Sequence, residues 1–438
     1  MKFTRARGVG ALGIVIMIIL LFAVNNSLAK KLETNPKTRE GTAITSVWGY
    51  SSTLNIPKPK APPSEPPVLA IKLPTFATIM TIAAIMIVLG GLLFIRNPER
   101  RGIAAYMSSV IGLSFFIILI WAVNNNRVDF ADTLARMIRV ATPLILGALA
   151  GIVCERSGVV NIGIEGMMLA AACFGYTAAI VFGRLFDMAG QTPVWIGVIA
   201  AMITGGLMAA LHAWLSIRFK VDQIISGTVI NILAVGLTGY VRSNFIIKYQ
   251  SPVRTGLSNS PIPLLSDIPF LGPIFFNHKP ITYITLILVA VMHVMLFKTV
   301  WGLRTRAIGE HPKAADTVGI NVNRMRFRNV VIGGLIAGLG GAWFSMEGTF
   351  GFDDLMTNGQ GFIALAAMIF GKWTPIGAFT GALLFSAADA LQIKVQNYSF
   401  DMPPQFLQML PYIVTIIVLA GVIGRAHPPA AVGKPYEK

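Results

Sequence analysis

Charged residues are scarce in this chain, and their scarcity excludes an ordinary water-soluble domain. They make up 13% of the 438 residues, whereas hydrophobic residues make up 54%; soluble domains average about 25% charged residues. Many apolar runs approach the roughly 20 residues that a helix needs to cross a bilayer. These runs lack the alternating pattern of transmembrane barrel strands. The sequence therefore predicts an all-α polytopic membrane protein embedded in a lipid bilayer.

Cysteines and histidines are also few. Neither of the two cysteines, Cys154 and Cys173, falls in a long loop, so no disulfide framework is indicated. The five histidines are scattered along the chain, and HExxH, GxSxG and CxxC motifs are absent. We therefore expect no catalytic residue, no metal site and no cofactor.

A phosphate-binding loop for ATP is missing as well. The glycine-rich run GGLIAGLGGAW lacks the Gly-Lys-Ser/Thr ending that holds phosphates. It lies in an apolar run, where small residues let helices approach each other closely.

Acidic residues number only 19 against 36 basic ones, which gives a net charge of +17. Such a surplus can mark a nucleic-acid-binding protein. Here the charges lie between the apolar runs, where the positive-inside rule places them. No nucleic-acid partner is therefore expected.

About ten apolar segments predict transmembrane helices. They cover residues 8–24, 74–95, 103–123, 140–153, 159–182, 194–217, 224–240, 281–297, 330–346 and 410–423. A further apolar segment, residues 361–391, is interrupted between Gly371 and Gly377 by Lys372 and Pro375. Because these residues interrupt a straight helix, the segment predicts two short helices in a hairpin.

The chain divides into three predicted parts. Residues 1–130 form an N-terminal extension with extra transmembrane helices and a Pro-rich external loop at residues 30–72. Residues 131–425 form the core domain, and residues 426–438 a cytoplasmic tail. The first apolar segment resembles a signal peptide, but the cleavage site near Ala29 is imperfect. We interpret it as an uncleaved span, and cleavage remains the alternative.

Basic residues indicate the orientation. With both termini in the cytoplasm, Lys and Arg are much denser in the inside segments than outside, as the positive-inside rule expects. This orientation places residues 306–327 inside and the Pro-rich loop outside. Arg136 and Arg139 fall on the outer side against the rule, and an interfacial helix there would explain them.

Two polar sets within apolar segments are candidates for a substrate pathway. Asn161 and Glu165 are four residues apart, so on a helix they share a face, with Met168 beside them. A carboxylate in hydrocarbon is costly and usually faces a cavity or a partner. Ser226 and Asn231 form the second set. For both sets the alternative is a structural role in holding helices together.

The polar stretch RAIGEHPKAADTVGINVNRMRF, residues 306–327, is too short for an enzyme domain. Within it, Lys313-Ala-Ala-Asp-Thr-Val-Gly319 resembles the EAAxxxG coupling motif of ABC importer permeases, with Lys in place of Glu. The longer stretch resembles the branched-chain amino-acid and simple-sugar permease family. ERSGVVNIGIEGMMLAA, from Glu155, and DQIISGTVINILAVGLTG, from Asp222, resemble the nucleoside-transporting branch of that family. The resemblance covers roughly residues 136–424.

This resemblance implies an ABC importer permease that pairs with a second, homologous permease subunit. A cytoplasmic ABC ATPase would supply energy, and an extracytoplasmic binding protein would deliver the substrate. The segment would then dock on the ATPase through residues of a coupling loop: Glu310, Lys313, Ala314, Ala315, Gly319 and Asn321. Lys313 lacks the acid of the motif, and Glu310 is the candidate to replace it.

The resemblance thus implies ATP-driven import of nucleosides or related sugars across the cell membrane. ABC import of branched-chain amino acids is an open alternative. So is a secondary transporter that uses Glu165 as a proton site. An intramembrane enzyme would need catalytic pairs on facing spans, and the sequence shows none.

Overall fold

The computed structural model describes residues 51–56, 69–96, 127–186, 188, 190–249, 256–396 and 427–437, together with ten isolated positions. The predicted spans 8–24, 103–123 and 410–423 lie outside these continuous stretches, as does most of the Pro-rich loop.

Helices dominate the described residues. In chain order they are α1 Thr75–Arg96, α2 Phe130–Arg156, α3 Ile164–Ile180, α4 Thr192–Ala213, α5 Gln223–Val241, α6 Ile247–Tyr249, α7 Leu271–Phe275, α8 Pro280–Lys298, α9 Val300–Glu310, α10 Pro312–Thr317, α11 Val322–Ala342, α12 Gln360–Phe370 and α13 Pro375–Gln396. Four long helices continue into a π-helical turn. These turns are Val181–Leu185 after α3, Trp214–Arg218 after α4, Arg242–Ile246 after α5 and Trp343–Gly348 after α11.

Within the described part of the chain, seven helical segments are long and apolar enough to cross a membrane. They are Ala131–Arg156, Ile164–Arg184, Thr192–Arg218, Gln223–Tyr249, Pro280–Lys298, Val322–Gly348 and Pro375–Ile393. Two shorter apolar stretches are Ala77–Leu92 in α1 and Gln360–Phe370. The prediction of a polytopic helical membrane protein is confirmed.

Three short strands supplement the helices. β1 (Ser51–Ile56) pairs antiparallel with β2 (Leu69–Pro74) and parallel with β3 (Arg127–Asp129), in the order β2-β1-β3. The first two strands lie in the segment predicted as an extended external loop. Its extended backbone therefore pairs into a small sheet that the sequence analysis did not anticipate.

The chain forms two compact units. The first contains Met1–Met137, Pro263–Phe276 and Ala387–Gly424, and the second contains Ile138–Ile262, Asn277–Ser386 and Arg425–Lys438. The predicted division into residues 1–130, 131–425 and 426–438 stays a prediction.

Glycines hold the centre of the second unit together. A Cβ atom at Gly334 or Gly338 of α11 would collide with the backbone of α4, and one at Gly341 would collide with α3. Because these glycines lack side chains, α3, α4 and α11 approach to backbone contact. The glycine-rich run is therefore a helix-packing element, as its sequence indicates.

The broken hairpin also has a defined form. α12 ends at Phe370 and α13 begins at Pro375, which matches the predicted break. In the connection between the two helices, Lys372 and Trp373 have left-handed backbone conformations, with φ angles of 53° and 54°. The prediction of two short helices was wrong for the second one, since α13 has 22 residues.

Candidate functional site

The Glu165 side chain caps the N-terminus of the half-length helix α12. Its Oε1 accepts hydrogen bonds from Thr357 Oγ1 at 2.6 Å and Gly359 N at 2.8 Å, and its Oε2 accepts one from Gly361 N at 2.6 Å. The first N–H groups of a helix have no partner within the helix, and a negative charge there also favours the helix dipole. Both carboxylate oxygens are thus occupied by the start of α12.

The Asn231 side chain joins α5 to the start of α3 in a similar way. Its Oδ1 accepts from Gly166 N at 2.8 Å, and its Nδ2 donates to Ile162 O at 3.1 Å. A Cβ atom at Gly166 would lie 2.7 Å from Asn231 Cα, so the two helices meet at backbone distance. The amide therefore satisfies backbone groups on both sides of the α3 N-terminus.

Ser226 takes part in a buried link through His212 of α4. His212 Nε2 lies 2.9 Å from Val160 O, and its Nδ1 lies 3.0 Å from Ser226 Oγ. Since a carbonyl only accepts hydrogen bonds, Nε2 carries a proton and donates it to Val160. Nδ1 of a neutral ring then accepts from the Ser226 hydroxyl, so the ring ties α4 and α5 to the α2–α3 turn.

The two remaining candidates of the predicted pathway are buried in the second unit. Asn161 Nδ2 lies 3.5 Å from Cys154 Sγ, and its Oδ1 has no hydrogen-bond partner among the described residues. Met168 is fully buried and lies against Gly340 of α11. The two predicted polar sets therefore come together around the N-terminus of α3, where their groups contact neighbouring helices.

Two adjacent residues at the end of α2 hold the tip of the α12–α13 hairpin. Trp373 Nε1 donates to Glu155 Oε2 at 2.6 Å, and Arg156 Nε donates to Trp373 O at 3.0 Å. Arg156 Nη2 also donates to Lys372 O at 3.3 Å. These bonds stabilise the left-handed backbone of the tip.

A second buried carboxylate caps α8. Glu347 Oε2 accepts from Ile281 N at 2.9 Å, and its Oε1 accepts from Thr282 Oγ1 at 2.5 Å. Lys279 lies just before α8, where its Nζ donates to the Glu347 carbonyl at 2.6 Å and sits 3.7 Å from the centre of the Phe350 ring. Burial lowers the pKa of Lys279 from its usual value.

The predicted coupling loop folds as α9 and the short helix α10. Lys313 and Ala314 are exposed. Ala315 was expected to face a partner too, but it is 3% exposed and packs against Ile308 and Val322. That expectation was wrong because the inner face of α10 needs a small apolar side chain to pack on the chain itself.

The other coupling-loop residues shape the backbone. Gly319 has a φ of 85°, and a Cβ atom added there would meet no other atom. The left-handed backbone conformation of the turn therefore explains why this residue is glycine. Asn321 caps α11, with its Oδ1 accepting from Arg324 N at 3.0 Å. Glu310 Oε2 accepts from Ala430 N of the tail at 3.1 Å.

The tail residues 427–437 lie against this segment. Ala431 N donates to Gly309 O at 2.9 Å, and Gly433 N donates to Gly158 O at 3.3 Å. The side chain of Arg326 is buried between the tail and α2. It donates to Ser157 O at 3.0 Å and to Lys434 O at 2.9 Å. The tail therefore lies on the same side of the second unit as α9 and α10.

Comparison with known proteins identifies the family of this site. The model of the family described as "Branched-chain amino acid transport system / permease component" matches residues 133–419. The chain belongs to this permease family. Its match includes α3, α5, the α9–α10 segment and the α12–α13 hairpin.

Several similar relatives are named as nucleoside permeases, and another, the putative glucose ABC transporter permease protein TsgC13 of Haloferax volcanii, is 33% identical over 319 residues, 68% of this chain and 93% of the relative. The guanosine ABC transporter permease protein NupQ of Bacillus subtilis is 45% identical over 302 residues, which cover 68% of this chain and 94% of the relative. The nucleoside ABC transporter permease protein NupC of Lactococcus lactis subsp. cremoris is 39% identical over 312 residues, 69% of this chain and 96% of the relative. The guanosine permease protein NupP of B. subtilis is 30% identical over 289 residues, 64% and 79% of the two chains. No solved structure matches.

Three of the residues that organise this permease, Glu155, Arg326 and Glu347, are not predictable as site residues from the sequence. Glu155 and Glu347 lie at the ends of apolar runs, where the sequence does not indicate that an acidic residue is buried. Arg326 resembles its basic neighbours in the polar stretch. Their burial depends on distant segments that cover them. The apolar residues beside Glu155 and Glu347 were the available signal.

Proposed function

We propose that this chain is the transmembrane permease subunit of an ATP-driven ABC importer for nucleosides. The observation that carries the proposal is the 45% identity to a guanosine ABC permease across 94% of that relative's length. The stretches that resemble the nucleoside branch form the α3 N-terminus and α5, which meet through Asn231.

The α9–α10 segment docks on a separate ATPase in this proposal. Lys313, Ala314 and Val318 are exposed on it, and Val318 retains 76% of its accessible surface. A partner that covers this segment would bury the apolar surface of Val318, which favours binding. The sequence has no phosphate-binding loop of its own, so ATP hydrolysis belongs to the partner.

Movement of the docked segment reaches the membrane helices through Arg156. A Cβ atom at Gly309 of α9 would collide with the Arg156 carbonyl, and the Arg156 guanidinium holds the hairpin tip. The hairpin begins with α12, whose other end is held by Glu165. This contiguous set of contacts supports alternating access, in which ATPase closure shifts the hairpin against α3.

The substrate pathway in this proposal runs beside α3 and α5, between this subunit and a second permease. Its walls include Asn161 and Met168. Glu165 fixes the start of α12, and Asn231 and Ser226 fix the start of α3. A secondary transporter with Glu165 as its proton site is less well supported. The Glu165 carboxylate already accepts three hydrogen bonds. A carboxylate that carries a proton would have to release them in each transport cycle.

The second permease is a homologous chain of the NupP type. Two guanosine permease proteins, NupQ and NupP, occur in B. subtilis, and this chain is 45% identical to the first and 30% to the second. A chain that resembles one member of such a pair more closely is expected to need the other. An extracytoplasmic binding protein completes the complex on the outer side.

Uptake by the reconstituted complex tests the proposed function. The complex is placed in vesicles and supplied with labelled guanosine, uridine, guanine, ribose and leucine in turn. We expect ATP-dependent uptake of the nucleosides, and the other three compounds should neither enter nor compete. Uptake of leucine or ribose alone would overturn the substrate assignment, and uptake without ATP or the ATPase would overturn the importer mechanism.

A further inference from the structure

A basic and aromatic cavity lies where α4 ends, on the side of the second unit that carries the coupling segment. Its volume is about 300 Å³, and its lining includes Trp214, Arg218, Lys220, Asn323, Phe327 and Tyr436. We call it the basic cavity. The transmembrane segment formed by α4 and its π-helical turn ends at Arg218, so the cavity lies at the membrane boundary.

The basic cavity already contacts one anionic group. Lys220 Nζ lies 2.7 Å from Glu437 Oε1 of the tail, and this hydrogen bond lowers the pKa of the Glu437 carboxyl group. The two side chains retain 46% and 71% of their accessible surface. Ion pairs as exposed as this one contribute little to stability, so another anion can displace the carboxylate.

An apolar stripe runs along α4 towards the same cavity. Ile199, Ile203 and Leu207 are 56%, 52% and 66% exposed, and Trp214 at the cavity is 50% exposed. Residues four apart share a helix face, so these side chains form a continuous ridge along the span. Phe219, which stacks edge-on against Trp214 at 4.7 Å, extends the aromatic surface at the boundary.

We propose that the basic cavity binds the phosphate of an anionic phospholipid whose acyl chain lies along the α4 stripe. Arg218 and Lys220 supply the charge for the phosphate, and Trp214 and Phe327 contact the glycerol region. Basic residues at the membrane surface attract anionic headgroups, and aromatic side chains prefer the interfacial layer. A soluble anion would contact the basic side chains but would not cover the apolar stripe. An ATPase would not cover the stripe either, because the stripe lies along a membrane-spanning segment.

The tail belongs to this site because it competes with the lipid. Glu437 occupies Lys220, and Tyr436 lines the cavity. A bound headgroup therefore displaces the end of the tail, whose preceding residues contact the coupling segment through Ala431. Lipid binding would thus act next to the segment that docks on the ATPase.

Lipid retention by the purified full-length protein tests the proposal. Native mass spectrometry would count phosphatidylglycerol or phosphatidylcholine that stays bound at equal concentrations of each lipid. We expect the double variant Arg218→Gln/Lys220→Gln to lose phosphatidylglycerol affinity by roughly 25-fold, because each surface charge contributes about fivefold. Glu437→Gln should strengthen binding, since it removes the competing carboxylate.

The matched control is Lys298→Gln, which removes an exposed basic residue at the end of α8 but leaves the basic cavity intact. It should retain phosphatidylglycerol as the unaltered protein does. Thermal unfolding without added lipid checks that each variant is folded. Equal loss in the control, equal retention of phosphatidylcholine, or displacement by millimolar inorganic phosphate would overturn the lipid assignment. A double variant that binds phosphatidylglycerol normally but co-purifies with less ATPase would also overturn the lipid assignment.

Discussion

At the scale of single residues, two acids in or beside the membrane-spanning segments, the half-buried Glu165 and the buried Glu347, cap the N-termini of helices. Glu165 caps α12 and Glu347 caps α8, each through backbone N–H groups and a threonine hydroxyl. Lipid offers no hydrogen bonds to an unpaired N–H group, so a helix start in the bilayer requires such an acceptor. The cost of each carboxylate is offset by the donors that it satisfies.

Glu165→Gln should impair transport more than it impairs assembly of the complex. The amide nitrogen cannot accept a hydrogen bond, so at least one donor at the start of α12 loses its partner. An unsatisfied buried donor costs about 1–3 kcal/mol, and the loosened α12 should lower nucleoside uptake per purified complex. Thr357→Val, which removes a single donor, is the milder control. Uptake that falls only in proportion to lost complex would point to a purely structural carboxylate.

Glu165 can be predicted as a site residue from the sequence, but the groups that it binds cannot. A lone acid in an apolar run is visible in the sequence because burial of a charge is costly. Its partners Thr357, Gly359 and Gly361 come from a distant segment that looks like an ordinary loop. Asn231 and Ser226 were identified because polar side chains in an apolar segment need hydrogen-bond partners, and those partners were not visible in the sequence either.

Arg326 should be required for the tail to stay in place. Arg326→Met leaves the carbonyls of Ser157 and Lys434 without their donor, and loss of such buried bonds costs about 1–3 kcal/mol. The variant should unfold at a lower temperature, and the tail should be cleaved faster in limited proteolysis. Arg324→Met is the matched control, since Arg324 is exposed two residues away and its loss should change stability by less than about 0.5 kcal/mol. Equal proteolysis of the two variants would contradict this role.

At the scale of elements, the local sequence predicts where a helix is interrupted better than it predicts which side chains face the chain's own core. The break of the hairpin at residues 371–374 follows from Pro375, which interrupts a helix, and from Lys372, whose charge is costly within an apolar span. The inward position of Ala315 does not follow from local sequence, because alanine suits either a partner or the chain's own core. The cluster with Ile308 and Val322 that decides it forms only when α9, α10 and α11 fold together.

Val318→Asp should weaken docking of the ATPase. Val318 lies at the end of α10 with 76% of its surface exposed, and a charge there would disrupt an apolar contact. Placing an unpaired carboxylate in a buried contact costs more than about 1 kcal/mol, so co-purification of the ATPase should fall roughly tenfold. Substrate-stimulated hydrolysis should fall with it, and membrane insertion should stay normal. A substitution at Gly319 is less informative because its φ of 85° strains any side chain.

The control for this variant is Leu355→Asp, which places the same charge at another exposed apolar residue. Leu355 is 57% exposed in the turn before α12, away from α9 and α10 in the chain. Its variant should co-purify with the ATPase normally. If Val318→Asp also retains normal binding and hydrolysis, then the α9–α10 segment is not the coupling element.

At the scale of the whole molecule, hydropathy was sufficient for the helical membrane architecture but not for the grouping of segments. Long apolar runs predict spans one by one, because each helix satisfies its own backbone. The parallel pairing of β1 with β3 joins Thr53 to Arg127 across a long stretch of chain, and no local pattern specifies such a partner. The position of the tail against α9 depends equally on contacts made only in the folded chain.

The orientation of the molecule in the membrane is predicted from its basic residues. The folded tail provides a second position at which labelling can test this orientation. Thr317 and Pro435 are both exposed, and the tail lies on the side of α9 and α10, so both positions should be cytoplasmic. Single cysteines at Thr317, Pro435 and Ser64 would be exposed to a membrane-impermeant maleimide in intact cells. Only Ser64→Cys should be labelled, whereas all three should react after permeabilisation. The native cysteines Cys154 and Cys173 are buried, so their background reaction should be low. Labelling of Thr317→Cys and Pro435→Cys without Ser64→Cys would reverse the orientation, and labelling of only one of that pair would contradict the packing of the tail.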